Sequence, residues 1–139
     1  MEFADGYEGV THAGVLIVAR PTGRMFLAQR AFDESDDPEV QETWEPPSGS
    51  LEDGEDPFAG ACRELEEEVG APLGRHEVVH GWRAGPEDNY QGFVVAVETE
   101  IEPRHLSPDP DEVQDVGWFT VEEARTLALR PEFAANDLD

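Results

Sequence analysis

Residues 49–71 read GSLEDGEDPFAGACRELEEEVGA, and this segment predicts a helix whose two ends are marked by their own residues. Asp56 followed by Pro57 is typical of an N-cap and a first helical position. Gly70 is typical of the residue that ends a helix. We therefore predict a helix over residues 57–69. Its apolar residues recur with helical period and should pack against a sheet; they are Phe58, Ala61, Cys62, Leu65 and Val69.

Three carboxylates lie together beside this apolar stripe. Glu64, Glu67 and Glu68 stand at positions i, i+3 and i+4, so the helix brings them to one face. Like charges at this spacing repel one another and destabilise an isolated helix. Carboxylate oxygens are the ligands that Mg²⁺ prefers, and a bound cation would turn the repulsion into ligation. The plain alternative is a solvated acidic face with no ligand.

The charge balance of the whole chain bears on the choice between a metal site and a solvated acidic face. Asp and Glu number 33 against nine basic residues, all of them arginine, for a formal charge of −24. Such a surface repels a nucleic-acid backbone, so we expect no nucleic-acid partner. It also repels a free polyphosphate unless a cation intervenes. Most of the acidic residues outside the helix are expected to serve solubility alone.

Strands and turns are predicted on either side of the helix. Residues 11–20 form an apolar, β-branched run, and residues 25–30 return after a Pro-Thr-Gly turn to complete a hairpin. Thr120, with Glu123 three residues later, is a capping box that starts a last helix. The other predicted elements are a loop over 31–43, a non-helical segment over 44–52, strands over 77–84, 91–98 and 113–119, a loop over 103–111, a helix over 121–129 and a frayed tail over 131–139.

The length of 139 residues favours one domain with a real core. Strand patterns around one amphipathic helix predict an α/β protein, an α/β/α sandwich with a small mixed sheet. No apolar run approaches the roughly 20 residues of a membrane span, and nothing resembles a signal peptide. Cys62 is the chain's one cysteine, so no internal disulfide can form. We expect a cytoplasmic protein with no membrane partner.

The spacing of fixed residues in the opening segment resembles the Nudix box of the MutT-like hydrolases. That box asks for Gly, five residues, Glu, seven residues, and then Arg-Glu-apolar-x-Glu-Glu-x-Gly-apolar. Its positions are occupied here by Gly49, Glu55, Arg63, Glu64, Leu65, Glu67, Glu68, Gly70 and Ala71. The resemblance implies a single Nudix domain over residues 1–139. It also implies a Mg²⁺-dependent hydrolase, with Mn²⁺ as a substitute, that cleaves a diphosphate bond in a nucleoside diphosphate linked to another group.

The resemblance also assigns metal ligands. Glu64 and Glu68 would bind the metal, and Glu67 would bind it directly or through water. The residue before the box glycine often offers its carbonyl. This chain has Ser48 where many members have glycine, and a serine supplies a carbonyl equally well.

Further roles follow from the same resemblance. Arg63 would orient a glutamate, either Glu55 or Glu67, through a charge-assisted hydrogen bond. Members often place one more acid in the loop before the last helix, as a metal ligand or general base. That loop offers several acids, of which we choose Glu112; the others are Asp109, Asp111 and Asp115. As catalytic residues we therefore select Glu55, Arg63, Glu67, Glu68 and Glu112.

Weaker signals concern the substrate. Arg30, at a strand end, could contact phosphate or ribose, and Trp44 could either flank a base or pack in the core. Pro86 and Tyr90 lie where some family subgroups carry substrate markers, but their surroundings also fit an ordinary turn. Trp118 is expected in the core. The substrate, the number of metals, the general base and the oligomeric state, including a homodimer, stay open.

Two other functions share this fold. A binding module would sense a nucleotide or ADP-ribose without cutting it, but such domains usually lose box glutamates that this chain retains. An isomerase of the isopentenyl-diphosphate type would need a catalytic cysteine. Cys62 lies on the predicted apolar stripe, which argues against that class.

Overall fold

The protein is built on a mixed β-sheet with one apolar strand at its centre. The structure is a computed structural model, and it describes residues 9–38, 40–70, 73–102 and 106–130. In chain order its elements are β1 (His12–Ala19), β2 (Met25–Arg30), β3 (Trp44–Glu45), β4 (Ser48–Ser50), α1 (Pro57–Val69), β5 (Glu77–Ala84), a 3₁₀ turn (Pro86–Asp88), β6 (Tyr90–Val97), β7 (Val113–Phe119) and α2 (Val121–Ala124). The strand order is β3-β2-β1-β6-β5, with β4 paired to β1 and β7 paired to β2.

Strand β1 lies between β6 on one edge and the strands β2 and β4 on the other. It runs parallel to β6 along its whole length, from His12 opposite Tyr90 to Ala19 opposite Val97. Its other edge is shared, because β4 pairs antiparallel with its first residues and β2 with its last. This sharing brings the segment just before α1 against the start of β1.

The two faces of β1 serve two apolar layers, as the alternation of side chains along a strand requires. Its odd-numbered residues from Ala13 to Ala19 are buried with Leu65 and Val69 of α1. Leu16 and Val18 point the other way, toward a second cluster that includes Ala124 of α2. The predicted α/β/α sandwich with a mixed sheet is thus confirmed.

Helix α1 begins and ends where its sequence predicts. The Asp56 carboxylate accepts a 3.1 Å hydrogen bond from the Ala59 amide, which caps the first turn. Gly70 has a left-handed φ of 76°, and its amide donates to the Glu66 carbonyl. A Cβ at Gly70 would lie 2.7 Å from the Ser107 carbonyl, so glycine also permits close approach of the loop before β7.

One prediction of local structure needs correction, and another gains detail. Helix α2 ends at Ala124 rather than at residue 129, because the chain then turns back to the sheet. The Trp44 amide donates to the Ala128 carbonyl, and Leu129 forms a parallel bridge with Trp44. The segment 44–52, predicted only as non-helical, contains the short strands β3 and β4, which sequence alone did not show.

Some predictions lie outside the described residues. These are the last box position, part of the 103–111 loop and the tail over 131–139. Where the structure does describe the chain, no helix has the length and apolarity needed to cross a membrane.

Candidate metal centre and adjoining cavity

Two glutamates of α1 project one helical turn apart toward strand β4. Glu64 is partly buried, and Glu68 is only 8% exposed. Strand β4 comes very close to them, since a Cβ on Gly49 would overlap the Glu64 carboxylate. Glycine at position 49 is therefore required by the space that this carboxylate occupies.

A third carboxylate joins them from a distant part of the chain. Oxygen atoms of Glu64, Glu68 and Glu112 all lie within 4.8 Å of one another. The loop that carries Glu112 is held at both sides, because the Asp109 amide donates to the Glu68 carbonyl at 2.8 Å and the Ala31 amide donates to the Glu112 carbonyl at 2.9 Å. The three oxygens form a donor set of the kind that Mg²⁺ prefers.

The electrostatics of this group favour a cation. Burial, followed by the charges of Glu45, Glu112 and Glu64, raises the pKa of Glu68 to about 9. Burial, followed by the charge of Glu67, raises the pKa of Glu64. Carboxylates with raised pKa values are costly to ionise together, and a divalent cation at their oxygens removes that cost.

Arg63 holds a second set of carboxylates beside the first. Its Nε and Nη2 donate to the two oxygens of Glu55, each at 2.9 Å, which is a forked pair. Its Nη1 donates to Glu67 at 2.5 Å and to Glu64 at 3.1 Å, and its Nη2 also reaches the Ser50 carbonyl. The hydrogen bonds from Arg63 lower the pKa of Glu55.

The structure thus separates glutamates that the helical pattern had grouped. Glu67 is exposed and paired with Arg63, and it is not part of the three-carboxylate group. Arg63 contacts both of the glutamates named as its alternatives, Glu55 and Glu67. Ser48 lies next to Glu68, whose carboxylate receives a hydrogen bond from the Ser48 main chain.

A cavity of about 630 Å³ opens beside the three carboxylates. Arg30 lines it and makes a forked pair with Asp36, at 2.6 and 3.0 Å. Arg130 also lines it and donates to Glu45 at 3.2 Å. The other residues at the wall are His12, Ala28, Ala31, Asp33, Glu45, Pro46, Ser48, Gly49, Ser50, Glu64, Glu68, Trp82, Ala84, Pro86, Asn89, Tyr90, Asp111, Glu112 and Val113.

Several of these residues escaped the sequence analysis. Glu45 and Arg130 carry no recognisable local signal, because they meet only through the pairing of residues 128–130 with β3. Trp82 lies on a predicted strand, where an aromatic residue is ordinary. Pro86 and Tyr90, for which the sequence left a substrate marker and an ordinary turn as alternatives, both line the cavity.

Other aromatic and sulfur side chains are placed away from the cavity. Trp44, which could have flanked a base, packs edge-on against Phe119 with centroids 5.1 Å apart and is not a cavity-lining residue. Trp118 is in the core, as predicted, and its indole N–H donates to the Ile101 carbonyl. Burial raises the pKa of the Cys62 thiol, which opposes its use as a nucleophile.

Comparison with known proteins shows the family of this chain. The chain matches the family model described as NUDIX domain over residues 10–137. The RNA pyrophosphohydrolase of Sphingopyxis alaskensis is 37% identical over 67 residues, which cover 48% of this chain and 38% of that protein. The RNA pyrophosphohydrolase of Hahella chejuensis is 35% identical over 80 residues, covering 58% and 43%. The matched segments therefore span less than half of either curated relative.

Solved structures extend the similarity to the fold. A Nudix hydrolase of M. smegmatis, RenU, has a TM-score of 0.72 at 23% identity, covering 91% of this chain and 80% of its own. An Ap4A hydrolase of C. elegans has a TM-score of 0.64 at 20% identity, covering 84% and 85%. A MutT NUDIX hydrolase of Burkholderia pseudomallei has a TM-score of 0.58 at 26% identity, covering 81% and 83%.

Proposed function

Because this chain belongs to the NUDIX family, we propose that it hydrolyses a diphosphate bond in a nucleoside diphosphate linked to another group. One observation carries the proposal. Glu64, Glu68 and Glu112 meet within 4.8 Å at the wall of a cavity large enough for a small molecule. Water attacks one phosphorus atom and the bridging P–O bond breaks, so the products are a nucleoside monophosphate and the phosphate monoester of the other group.

We assign the metal site to the same three carboxylates. The oxygens of all three, and the raised pKa values of Glu64 and Glu68, fit a hard divalent cation, Mg²⁺ first and Mn²⁺ as a substitute. A bound ion would neutralise diphosphate charge and lower the pKa of the attacking water. The Ser48 carbonyl, and Glu67 through water, remain further ligands in this proposal.

The remaining residues orient the site and the substrate. The fork between Arg63 and Glu55 holds the Arg63 side chain, which in turn contacts Glu64 and fixes the direction of that carboxylate. We also propose that Arg30, which lines the cavity and is held by Asp36, contacts a phosphate or ribose oxygen. Glu112 is exposed and close to the other two acids, so one of its carboxylate oxygens can bind the ion while the other accepts a proton from the attacking water.

A binding module that senses a nucleotide without cutting it is the alternative. Such a module has no need of three converging carboxylates, and the chain keeps every glutamate of the box. The curated relatives are named for action on RNA, whereas a formal charge of −24 opposes an extended RNA backbone. We therefore propose a small nucleotide derivative as the substrate.

A substrate panel tests the proposal. The purified chain is incubated with Mg²⁺ and, separately, nucleoside triphosphates, nucleotide sugars, ADP-ribose, dinucleoside polyphosphates and 5′-triphosphorylated RNA, and the products are identified. Cleavage of a small diphosphate that excess chelator abolishes supports the hydrolase. Binding without cleavage would favour the sensing module, and preference for RNA would overturn the choice of substrate class.

A further inference from the structure

Two glycines at the centre of the sheet provide space for two aromatic rings. Gly14 of β1 and Gly92 of β6 are directly paired. A Cβ on Gly92 would overlap the six-membered ring of Trp82, and a Cβ on Gly14 would overlap the phenol oxygen of Tyr90. Trp82 of β5 therefore lies across the neighbouring strand β6 at Gly92, and Tyr90 of β6 lies across the neighbouring strand β1 at Gly14.

The register of the strands links these rings to the acidic group. Ser48 pairs with Gly14, Gly14 with Gly92, and Gly92 with Trp82, so these four positions form one row across four strands. Paired residues of neighbouring strands face the same side of a sheet. Ser48, at one end of the row, is beside Glu68. With strands about 4.8 Å apart, Gly92 and the indole above it lie about 10 Å across the sheet from Ser48.

The two rings form an aromatic surface at the cavity. Their centroids are 6.1 Å apart with an angle of 44° between the planes. Both residues line the cavity and both remain partly exposed, and neither is a member of the two apolar clusters found among the described residues. A partly exposed indole that faces a cavity can stack on a planar ring, whereas an indole enclosed in the core cannot.

We infer that Trp82 is a specificity-determining residue whose indole stacks on the nucleobase of the substrate, with Tyr90 extending the same surface. This inference rests on the proposed function, since the diphosphate of that substrate would lie at the carboxylates. Stacking on an aromatic side chain accepts every base, because each base has a π-face. The chemistry recognised is thus an aromatic base joined to a phosphorylated sugar.

The test compares ligands with and without a base. Binding of AMP, GMP and ribose 5-phosphate, each with Mg²⁺, is measured by calorimetry and by quenching of tryptophan fluorescence. The proteins compared are the wild type, Trp82→Leu, Trp82→Phe and Val78→Ala. The last variant is the control, because Val78 is an exposed residue of the same strand that does not line the cavity. KM and kcat for a cleaved nucleotide substrate are measured in parallel, and thermal unfolding confirms that each variant is folded.

We expect Trp82→Leu to weaken AMP and GMP binding about 5- to 100-fold, the effect of losing one base stack, with ribose 5-phosphate nearly unaffected. Trp82→Phe should keep much of the affinity while losing much of the fluorescence quenching, and Val78→Ala should match the wild type. In hydrolysis, KM should rise in Trp82→Leu with kcat nearly constant.

Equal losses for AMP and ribose 5-phosphate would show that Trp82 only covers Gly92, and would overturn the inference. Unchanged AMP binding in Trp82→Leu, or no nucleotide binding by the wild type, would overturn it as well. The proposed function can fail separately. A chain that binds AMP through Trp82 but cleaves no diphosphate refutes the hydrolase and supports the stacking role.

Discussion

The amide of Asp109 donates a 2.8 Å hydrogen bond to the carbonyl oxygen of Glu68. This bond ties the loop before β7 to the last turn of α1, where helix carbonyls lack partners within the helix. Because Glu112 is three residues beyond Asp109, the same bond sets its distance from Glu64 and Glu68. The group of three carboxylates therefore depends on a main-chain contact as well as on helical spacing.

Glu68→Gln separates stability from catalysis. The change removes a buried carboxylate near three other acids, so we expect an equal or higher Tm without metal. The rate should fall about 10²-fold or more if Glu68 binds the metal. Added Mg²⁺ should also raise the Tm less than in the wild type. Near-normal turnover in a folded Glu68→Gln protein would remove the metal-ligand role.

The pH dependence of metal-free stability tests the environment of Glu68. Its folded-state pKa of about 9 lies above the ordinary value of 4.5, so between these values the folded state binds more protons than the unfolded state. The stability that this group contributes is fully present below pH 4.5 and is lost as the pH rises through about 9.

The measurement is Tm against pH for metal-free wild type and Glu68→Gln. The wild-type Tm should fall relative to that of the variant between about pH 6 and pH 9, since other titrating groups are common to both. Mg²⁺ affinity of the wild type should rise over the same range, because binding releases the proton. Parallel Tm curves for the two proteins would contradict the raised pKa.

Glu112→Gln tests the acid supplied by the loop. We expect the rate to fall by about 10- to 10²-fold, less than for Glu68→Gln, because Glu112 is exposed and its loss leaves two carboxylates in place. Substrate affinity should be largely kept, which kcat and KM measured separately would show. Asp111→Asn is the matched control, since Asp111 also lines the cavity. A larger loss in that control would move the role to Asp111.

Arg63→Lys tests whether the forked pair with Glu55 positions the site. Lysine keeps the charge but cannot make two parallel bonds, so we expect a rate loss of about 10- to 100-fold with little change in Tm. Glu55→Gln should give a similar loss, and the double variant should be little worse than either single one. Additive losses would show that the two residues act separately.

A second forked pair provides the control for this experiment. Arg24 donates to both oxygens of Glu100, away from the cavity. Arg24→Lys should leave the rate unchanged. A comparable loss there would mean that the effect of Arg63→Lys is general damage to the fold.

Sequence alone determined the parts of this protein that depend on neighbours along the chain. The cap at Asp56, the left-handed Gly70 and the apolar stripe predict α1 at its observed bounds. Helical geometry places Glu64 and Glu68 one turn apart wherever the helix lies. The remaining box residues, such as Gly49 and Glu55 outside the helix, were named because their spacing resembles the Nudix box.

Tertiary structure decided what surrounds those residues. Burial of Glu68, and the contact that Glu112 makes with it from 44 positions later in the chain, require α1, β4 and the loop before β7 to pack together. Trp82 reaches the cavity only through the register of β5, β6 and β1. Local propensity specifies the conformation of a segment, but which distant segments meet depends on burial of apolar faces and pairing of strand edges across the whole chain.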